Sequence, residues 1–250
     1  MKYLFEKPLK EGIILKRNNQ FTLDVKINGA IEKVHCPTTG RIGNIDLKNV
    51  ECLLSDSTNP KRKTKYTLEA ISVSNPNKIN KKWVGINQIA SNKYIDFFLK
   101  NHLLNEMIND YSEIKREVKL GNSKLDFLVE NTYIEVKTPL QRLQIEYDDN
   151  IKTKKTTPFS STERFKKHIN ELASSLDFNK KAILLNVFQY DNPGYKIINP
   201  STNYKEIKES VEKSIKKGIE IWQVNIKIDE KGVELIKYWN TTSNFSDLNE

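Results

Sequence analysis

The hydrophobic pattern of this 250-residue chain changes its period once, near residue 80, and that change divides what the chain can fold into. Up to that point apolar residues fall in short alternating runs, GIILKR, FTLDVKI, EKVHC, NVECLLS and KYTLEAISV, separated by turn residues. Alternation with period two lays one face of each run against a core. Asn28-Gly29 stands between two of the runs and has the turn chemistry of a tight hairpin. Five short strands within about 80 residues fit a small Greek-key barrel, of which the OB fold is one kind. The polar stretch SNPNKINKK, residues 74–82, then punctuates the chain.

Beyond it the pattern alternates between helix and strand. IASNKYIDFFLKNHLLNEM predicts a helix capped by Ser91 or Asn92, with Ile95, Phe98, Leu99, Leu103 and Met107 near helical spacing. Strands follow at 114–120, 124–130 and 133–138, then a lysine-rich loop at 141–158. Ser160 and Glu163 spell a capping box for a helix that lines up Phe165, Ile169, Leu172 and Leu176. KKAILLNVFQY reads as a buried strand, YKEIKESVEKSIKKG as a helix stopped by Gly218, and IEIWQVNIKI as a last strand. The expected fold class is α+β in two domains: an OB-like β-barrel over 1–82, an α/β domain with a mixed central sheet over 83–240, and a tail over 241–250.

Charge narrows the partners. The net charge is +9, and residues 1–110 carry most of it, with 18 basic against 11 acidic side chains, where the remainder holds 23 and 21. Such a field draws in polyanions such as nucleic acid by counterion release, without reading sequence; the same lysines would also serve simply to keep a protein soluble. MKYLFEKPLKEG lacks the apolar run of a leader, and no window approaches the roughly 20 apolar residues of a membrane span. The chain reads as cytoplasmic, with no membrane partner, and its two cysteines, Cys36 and Cys52, as buried reduced thiols.

LDFLVENTYIEVKTPL, residues 125–140, carries charges where a core strand should have none. A two-residue turn at Asn131-Thr132 would set Asp126 opposite Lys137 and Leu128 opposite Glu135. Alternation then gathers Asp126, Glu135 and Lys137 on one face, with Phe127, Val129, Ile134 and Val136 on the other. Two carboxylates held together repel unless a divalent cation sits between them, and hard oxygen ligands suit Mg²⁺ or Mn²⁺. A lysine beside them can orient water for attack on a phosphodiester. An ordinary ion pair between Asp126 and Lys137 accounts for the same residues, and Glu-x-Lys also occurs at 113–115, 117–119 and 206–208.

HCPTTGRI (35–42), NPKRKTKYTLE (59–69), WVGIN (83–87), REVKLGNSKLDFLVE (116–130), YIEVKT (133–138) and TERFKKHINEL (162–172) together resemble successive blocks of the sugar fermentation stimulation protein A (SfsA) family. The resemblance covers most of the chain. It implies an N-terminal OB-like domain joined to a PD-(D/E)xK restriction-endonuclease-like domain, DNA binding, and nuclease activity of the kind attributed to some members. Carried over by position, it makes Asp126 and Glu135 metal-binding carboxylates, Lys137 the catalytic lysine and the Val136 carbonyl a further ligand. Glu117 becomes an additional acidic candidate, or else a surface partner of Lys115 or Lys119. His168 becomes a candidate general acid or phosphate contact, or else a structural helix residue.

The chain departs from the family pattern around the site. Thr157-Pro158-Phe159-Ser160 stands for Phe-Pro-Asp-Ala, Phe165 for a glycine, Thr38 for an asparagine and Lys124 for an arginine. For nucleic acid, Lys61, Arg62, Lys63, Lys65 and Tyr66 put four cations and an aromatic at one strand start, and Arg17, Phe21 and Arg41 are candidates for the same surface. Cations neutralise phosphates and an aromatic stacks on bases; a solvated basic loop is the plainer account. The expected activity is metal-dependent phosphodiester hydrolysis of DNA, with RNA also open, and little sequence preference. A DNA-binding regulator that keeps the nuclease fold without catalysis is the alternative.

Overall fold

The computed structural model describes residues 1–155, 163–178, 180–194 and 202–245. Its strands form two sheets. The first strand, β1 (Lys2–Leu4), belongs to the sheet built at the other end of the chain and pairs with its last strand. The barrel is made by β2 (Lys10–Arg17), β3 (Thr22–Ile27), β4 (Ala30–His35), β5 (Glu51–Asp56) and β6 (Tyr66–Ser72). Period-two burial is plain in β3, where Leu23, Val25 and Ile27 point inward to meet Ile14, Val34, Leu54 and Leu68. Asn28 and Gly29 both take positive φ, 48° and 86°, so the β3–β4 hairpin turns in two residues as its sequence predicts. Parallel pairing of Val34 with Tyr66 and His35 with Thr67 closes the five strands on themselves. Cys36 and Cys52 are free and buried, and burial pushes both thiols up, away from reactivity.

A sixth strand, β7 (Trp83–Gly85), lies past the polar stretch at 74–82 and extends the barrel sheet by pairing with β6. It also touches the second domain, because the Gly85 amide donates to the Gln189 carbonyl at 2.9 Å. A Cβ built on Gly85 would lie 2.3 Å from Gln189 Oε1, so this approach requires glycine.

The second domain opens with α1 (Gln88–Lys100). Its cap is Asn87, whose side chain accepts from the Ala90 amide, not Ser91 or Asn92, which lie inside the helix. The helical spacing continues to Leu103 and Met107, but the helix stops at Lys100, and His102 takes a left-handed φ of 53°. There follow β8 (Ile114–Leu120), β9 (Ser123–Val129), β10 (Thr132–Lys137), α2 (Glu163–Ser174), β11 (Lys181–Phe188), α3 (Tyr204–Lys217), β12 (Glu220–Ile228) and β13 (Gly232–Asn240). The capping serine expected at Ser160 lies outside the described residues. Gly218 ends α3 at φ 110°, as its position after the last helical residue predicts.

The sheet runs β1-β13-β12-β11-β10-β9-β8. β10, β11 and β12 are parallel and joined through α2 and α3; the other pairs are antiparallel, which makes the sheet mixed. One face carries Phe127, Val129, Ile134, Leu185 and Val224 against Tyr94, Ile95, Phe98 and Leu99 of α1. The other carries Leu125, Tyr133, Leu184 and Ile221 against Ile169, Leu172 and Val211 of α2 and α3. β13 did not show in the hydrophobic pattern, since Glu234, Lys237 and Asn240 interrupt it; pairing with β12 supplies what its own alternation lacks. Among the described residues no helix is long and apolar enough to cross a membrane.

Candidate active site

The hairpin of β9 and β10 turns at Glu130-Asn131, one residue earlier than its sequence suggested. Val129 pairs with Thr132, Leu128 with Tyr133 and Phe127 with Ile134. Glu130 fixes the turn. It adopts φ 51°, and its carboxylate accepts from the Ser112 and Glu113 amides at 2.7 and 2.9 Å. The register is thus displaced by two residues from the expected one, and an even displacement preserves faces: Phe127, Val129, Ile134 and Val136 still enter the core with α1. What changes is the opposition of charges, because Asp126 is brought level with Glu135 and not with Lys137.

Regular pairing stops at Phe127 and Ile134, and the Asp126 carboxylate takes up the freed amide. Asp126 Oδ2 accepts from the Val136 N–H at 2.8 Å, and Oδ1 accepts from Asn92 Nδ2 of α1 at 2.7 Å. Burial, and then the negative charge of Glu135, raise the Asp126 pKa; the two N–H groups and Lys137 pull against them without prevailing. Lys137 Nζ pairs with Glu135 Oε1 at 2.6 Å, so the simple cross-strand pair of Asp126 with Lys137 is not the one formed. His168 reaches over from α2, and its Nδ1 contacts the same Oε1. Glu135 is 2% exposed, and its other oxygen, Oε2, has no hydrogen-bond partner among the described residues. A buried polar atom left unmatched costs about 1–3 kcal/mol, and more when it is charged. A buried carboxylate with an unmatched oxygen, beside a half-buried one, is a donor set that fits a hard divalent cation. Among the described residues no three His, Cys, Asp or Glu side chains are grouped to hold an ion, so such a site would complete itself with backbone carbonyl or water.

Glu117 does not join the cluster. It sits on β8 with φ 55°, and its carboxylate pairs with Lys124, both side chains more than 60% exposed. Lys124 at this pair pulls its pKa down. The surface role expected as its alternative is the one seen, with Lys124 in place of Lys115 or Lys119.

Two asparagines that carry no motif belong to the site. Asn92 reads as a helix cap but holds Asp126. Two neighbours on α1 pin the strand end after Lys137: Gln88 Nε2 donates to the Thr138 carbonyl at 2.7 Å and Ser91 Oγ meets Thr138 Oγ1 at 2.8 Å. Asn186 of β11 is paired in register with Lys137 and is 8% exposed.

The expected nucleic-acid residues divide by what their side chains already do. Arg17 spends its guanidinium on the carbonyls of Thr38, Gly40, Gln20 and Asn19, the first at 2.7 Å, and so clasps two barrel loops. Arg62 folds back onto Thr67 Oγ1 and Thr64 Oγ1. Lys65 lies 3.5 Å from Glu32, and Tyr66 is covered by Lys10, whose Nζ stands 5.0 Å from the ring centre. Lys61, Lys63 and Phe21 are exposed, and Arg41 lines a cleft.

Comparison with known proteins places this architecture. Residues 15–86 match the model of the SfsA N-terminal OB domain, and residues 86–232 that of the sugar fermentation stimulation protein RE domain; the two meet directly after β7. The sugar fermentation stimulation protein homolog of Clostridium perfringens is 31% identical over 94% of this chain and 97% of its own length. The homolog from Synechocystis is 29% identical over 92% and 94%. The solved structure of Pyrococcus furiosus SfsA in complex with Ca²⁺ superposes with a TM-score of 0.73 at 22% identity, covering 95% of this chain and 97% of that one, which establishes the shared fold. The chain therefore belongs to the sugar fermentation stimulation protein family.

Proposed function

We propose that this chain is a divalent-metal-dependent nuclease that binds nucleic acid with little sequence preference and hydrolyses phosphodiester bonds at Asp126, Glu135 and Lys137. The observation that carries the reading is the buried, unmatched Glu135 Oε2 beside the half-buried carboxylate of Asp126. Asp126, Glu135 and the Val136 carbonyl would hold Mg²⁺ or Mn²⁺. That the Pyrococcus furiosus relative was solved with Ca²⁺ supports a divalent ion in this fold. When bound, the ion supplies charge stabilisation at phosphate oxygens. Asn92 and the Val136 amide keep the Asp126 carboxylate aimed. Lys137 keeps 28% of its side chain exposed, so its ammonium can donate to a water or a phosphate oxygen while it leans on Glu135. His168 fixes Glu135 through Nδ1, and its second ring nitrogen is left for a proton or a phosphate oxygen.

The alternative, a DNA-binding regulator that keeps the fold without hydrolysis, has one observation in its favour: Lys137 and His168 already converge on Glu135 Oε1 and compensate part of its charge with no ion. Labelled single- and double-stranded DNA and RNA, incubated with Mg²⁺, Mn²⁺ or EDTA, separate the two. The nuclease reading expects metal-dependent cleavage that is lost in Glu135→Ala and Lys137→Ala while binding persists. Binding without cleavage under any metal supports the regulator, and cleavage that survives both substitutions removes the site.

A further inference from the structure

A cleft of about 570 Å³ opens in the barrel surface, and its walls come from two distant parts of the chain. Six cations surround it, Lys16, Arg17, Arg41, Lys48, Lys154 and Lys155, against the single carboxylate of Asp46. The last two lysines belong to the loop that follows β10, and they are held there by backbone, not by chance. Asp46 N donates to the Lys152 carbonyl at 2.8 Å, Lys154 N to the Asn44 carbonyl at 2.8 Å, and Ile45 bridges to Thr153. The second domain's loop is thus stitched along the barrel loop at 44–46, and this carries its lysines to the rim of the barrel's own basic cleft.

The lysines among these cations are poorly compensated. Lys154 stands 3.8 Å from Asp46 with both side chains well exposed, a pairing worth little, while Lys16, Lys48 and Lys155 have no ion-pair partner among the described residues. Like charges gathered round a concavity with apolar walls, here Ile42, Ile45 and Leu47, focus a positive potential into it. The size suits one strand. Some 570 Å³ is the volume of a ligand pocket, and a duplex, whose major groove alone is about 12 Å wide, can only lie across its mouth. None of the lining residues is aromatic, so the cleft offers charge to a sugar-phosphate backbone and no platform for bases.

The cleft also adjoins the carboxylate cluster. Gly43, on its wall, donates its amide to the Leu140 carbonyl at 2.7 Å, and Leu140 is three residues beyond Lys137, a span of at most about 11 Å. We propose that this cleft seats the phosphate backbone of a single nucleic-acid strand next to the segment engaged at Asp126, Glu135 and Lys137. The assignment rests on the nucleic-acid reading above, and it adds a strand type and a place.

The test is a salt titration of binding, made in EDTA so that cleavage plays no part. A labelled single-stranded DNA and its duplex are titrated with wild type, with Lys48→Gln/Lys155→Gln and with Lys48→Arg/Lys155→Arg. Removing one lysine from a phosphate should flatten the slope of log K against log salt by about 0.7 for a single strand. The expected result is a slope shallower by about 1.4 in the Gln pair, restored in the Arg pair, with a smaller change on duplex. Wild-type binding whose slope is unchanged in the Gln pair, or changes only on duplex, overturns the cleft assignment and leaves the nucleic-acid reading standing. Absence of wild-type binding to either form overturns both. Inorganic phosphate that competes with the strand at equal charge concentration overturns the single-strand assignment in favour of a small-anion site.

Discussion

His168 and Lys137, from a helix and a strand on opposite sides of a long loop, meet the same oxygen of Glu135 and leave its partner oxygen buried and unmatched. A carboxylate steered from two sides through one oxygen presents the other in a fixed direction, which is what an ion ligand requires. His168→Ala should therefore weaken Mn²⁺ binding about 10–100-fold, the usual cost of losing a group that orients a ligand. His168→Gln, which keeps a donor, should recover part of it. Calorimetric titration with Mn²⁺ checks both, with thermal melting to confirm that the variants fold.

Asn186 supplies a second test of the site. It is 8% exposed and paired in register with Lys137, so β11 places a polar side chain at the edge of the cluster. Asn186→Leu, of similar volume, should leave Tm unchanged or higher. If the amide meets substrate, the same change should lower kcat/KM about tenfold, equivalent to about 1.4 kcal/mol. A fall in Tm with kcat/KM intact would show that the amide is structural.

Glu69 makes stability depend on pH. It lies buried on β6, accepts from Ser55 Oγ at 2.6 Å and from Asn87 Nδ2 at 2.8 Å, and burial raises its pKa above the ordinary 4.5. A carboxyl that binds its proton more tightly folded than unfolded imposes no cost below pH 4.5. Its penalty grows as pH rises through the folded pKa and is complete above it. Glu69→Gln keeps both hydrogen bonds, with its amide donating to Ser55 and its carbonyl accepting from Asn87. At neutral pH it should raise Tm, by about 2–4 °C for each kcal/mol relieved, and the gain should vanish below about pH 4.5. Melting curves across that range decide it.

Gly85 and Gln189 join the two domains. Gly85→Ala drives a methyl group into a glutamine that cannot swing away, since Gln189 is fully buried and its amide donates to the Asn87 carbonyl and Ser91 Oγ. Overpacking of this kind costs about 1–3 kcal/mol. Gln189→Ala relieves the collision but loses those two bonds, so the pair should be non-additive by at least about 0.5 kcal/mol in a urea-denaturation cycle.

What the sequence could disclose of all this follows from which forces are local. Hairpin faces were legible where strand parity survives the even register displacement, so Phe127, Val129, Ile134 and Val136 were assigned to the core without knowing the turn. The face of Asp126 was not, because parity breaks between Leu125, which packs with α2, and Phe127, and Asp126 is held by Asn92 of α1. The turn itself was not legible, because a left-handed Glu130 is held by the amides of Ser112 and Glu113, which are remote in the pattern. Asn92 looked like a helix cap because capping and carboxylate-holding use the same side-chain amide. β13 was hidden because its partner β12, and not its own alternation, makes it a strand. The outward turn of Glu117 depends on a single positive φ, which the residue type gives no reason to expect.

Density is the most direct witness to the central claim. A crystal soaked in Mn²⁺ and measured at the manganese edge should show one strong anomalous peak held by the carboxylates of Asp126 and Glu135 and the Val136 carbonyl, and the peak should be absent from Glu135→Ala. A peak held by other residues, or none in protein that cleaves nucleic acid under the same Mn²⁺, would contradict the account.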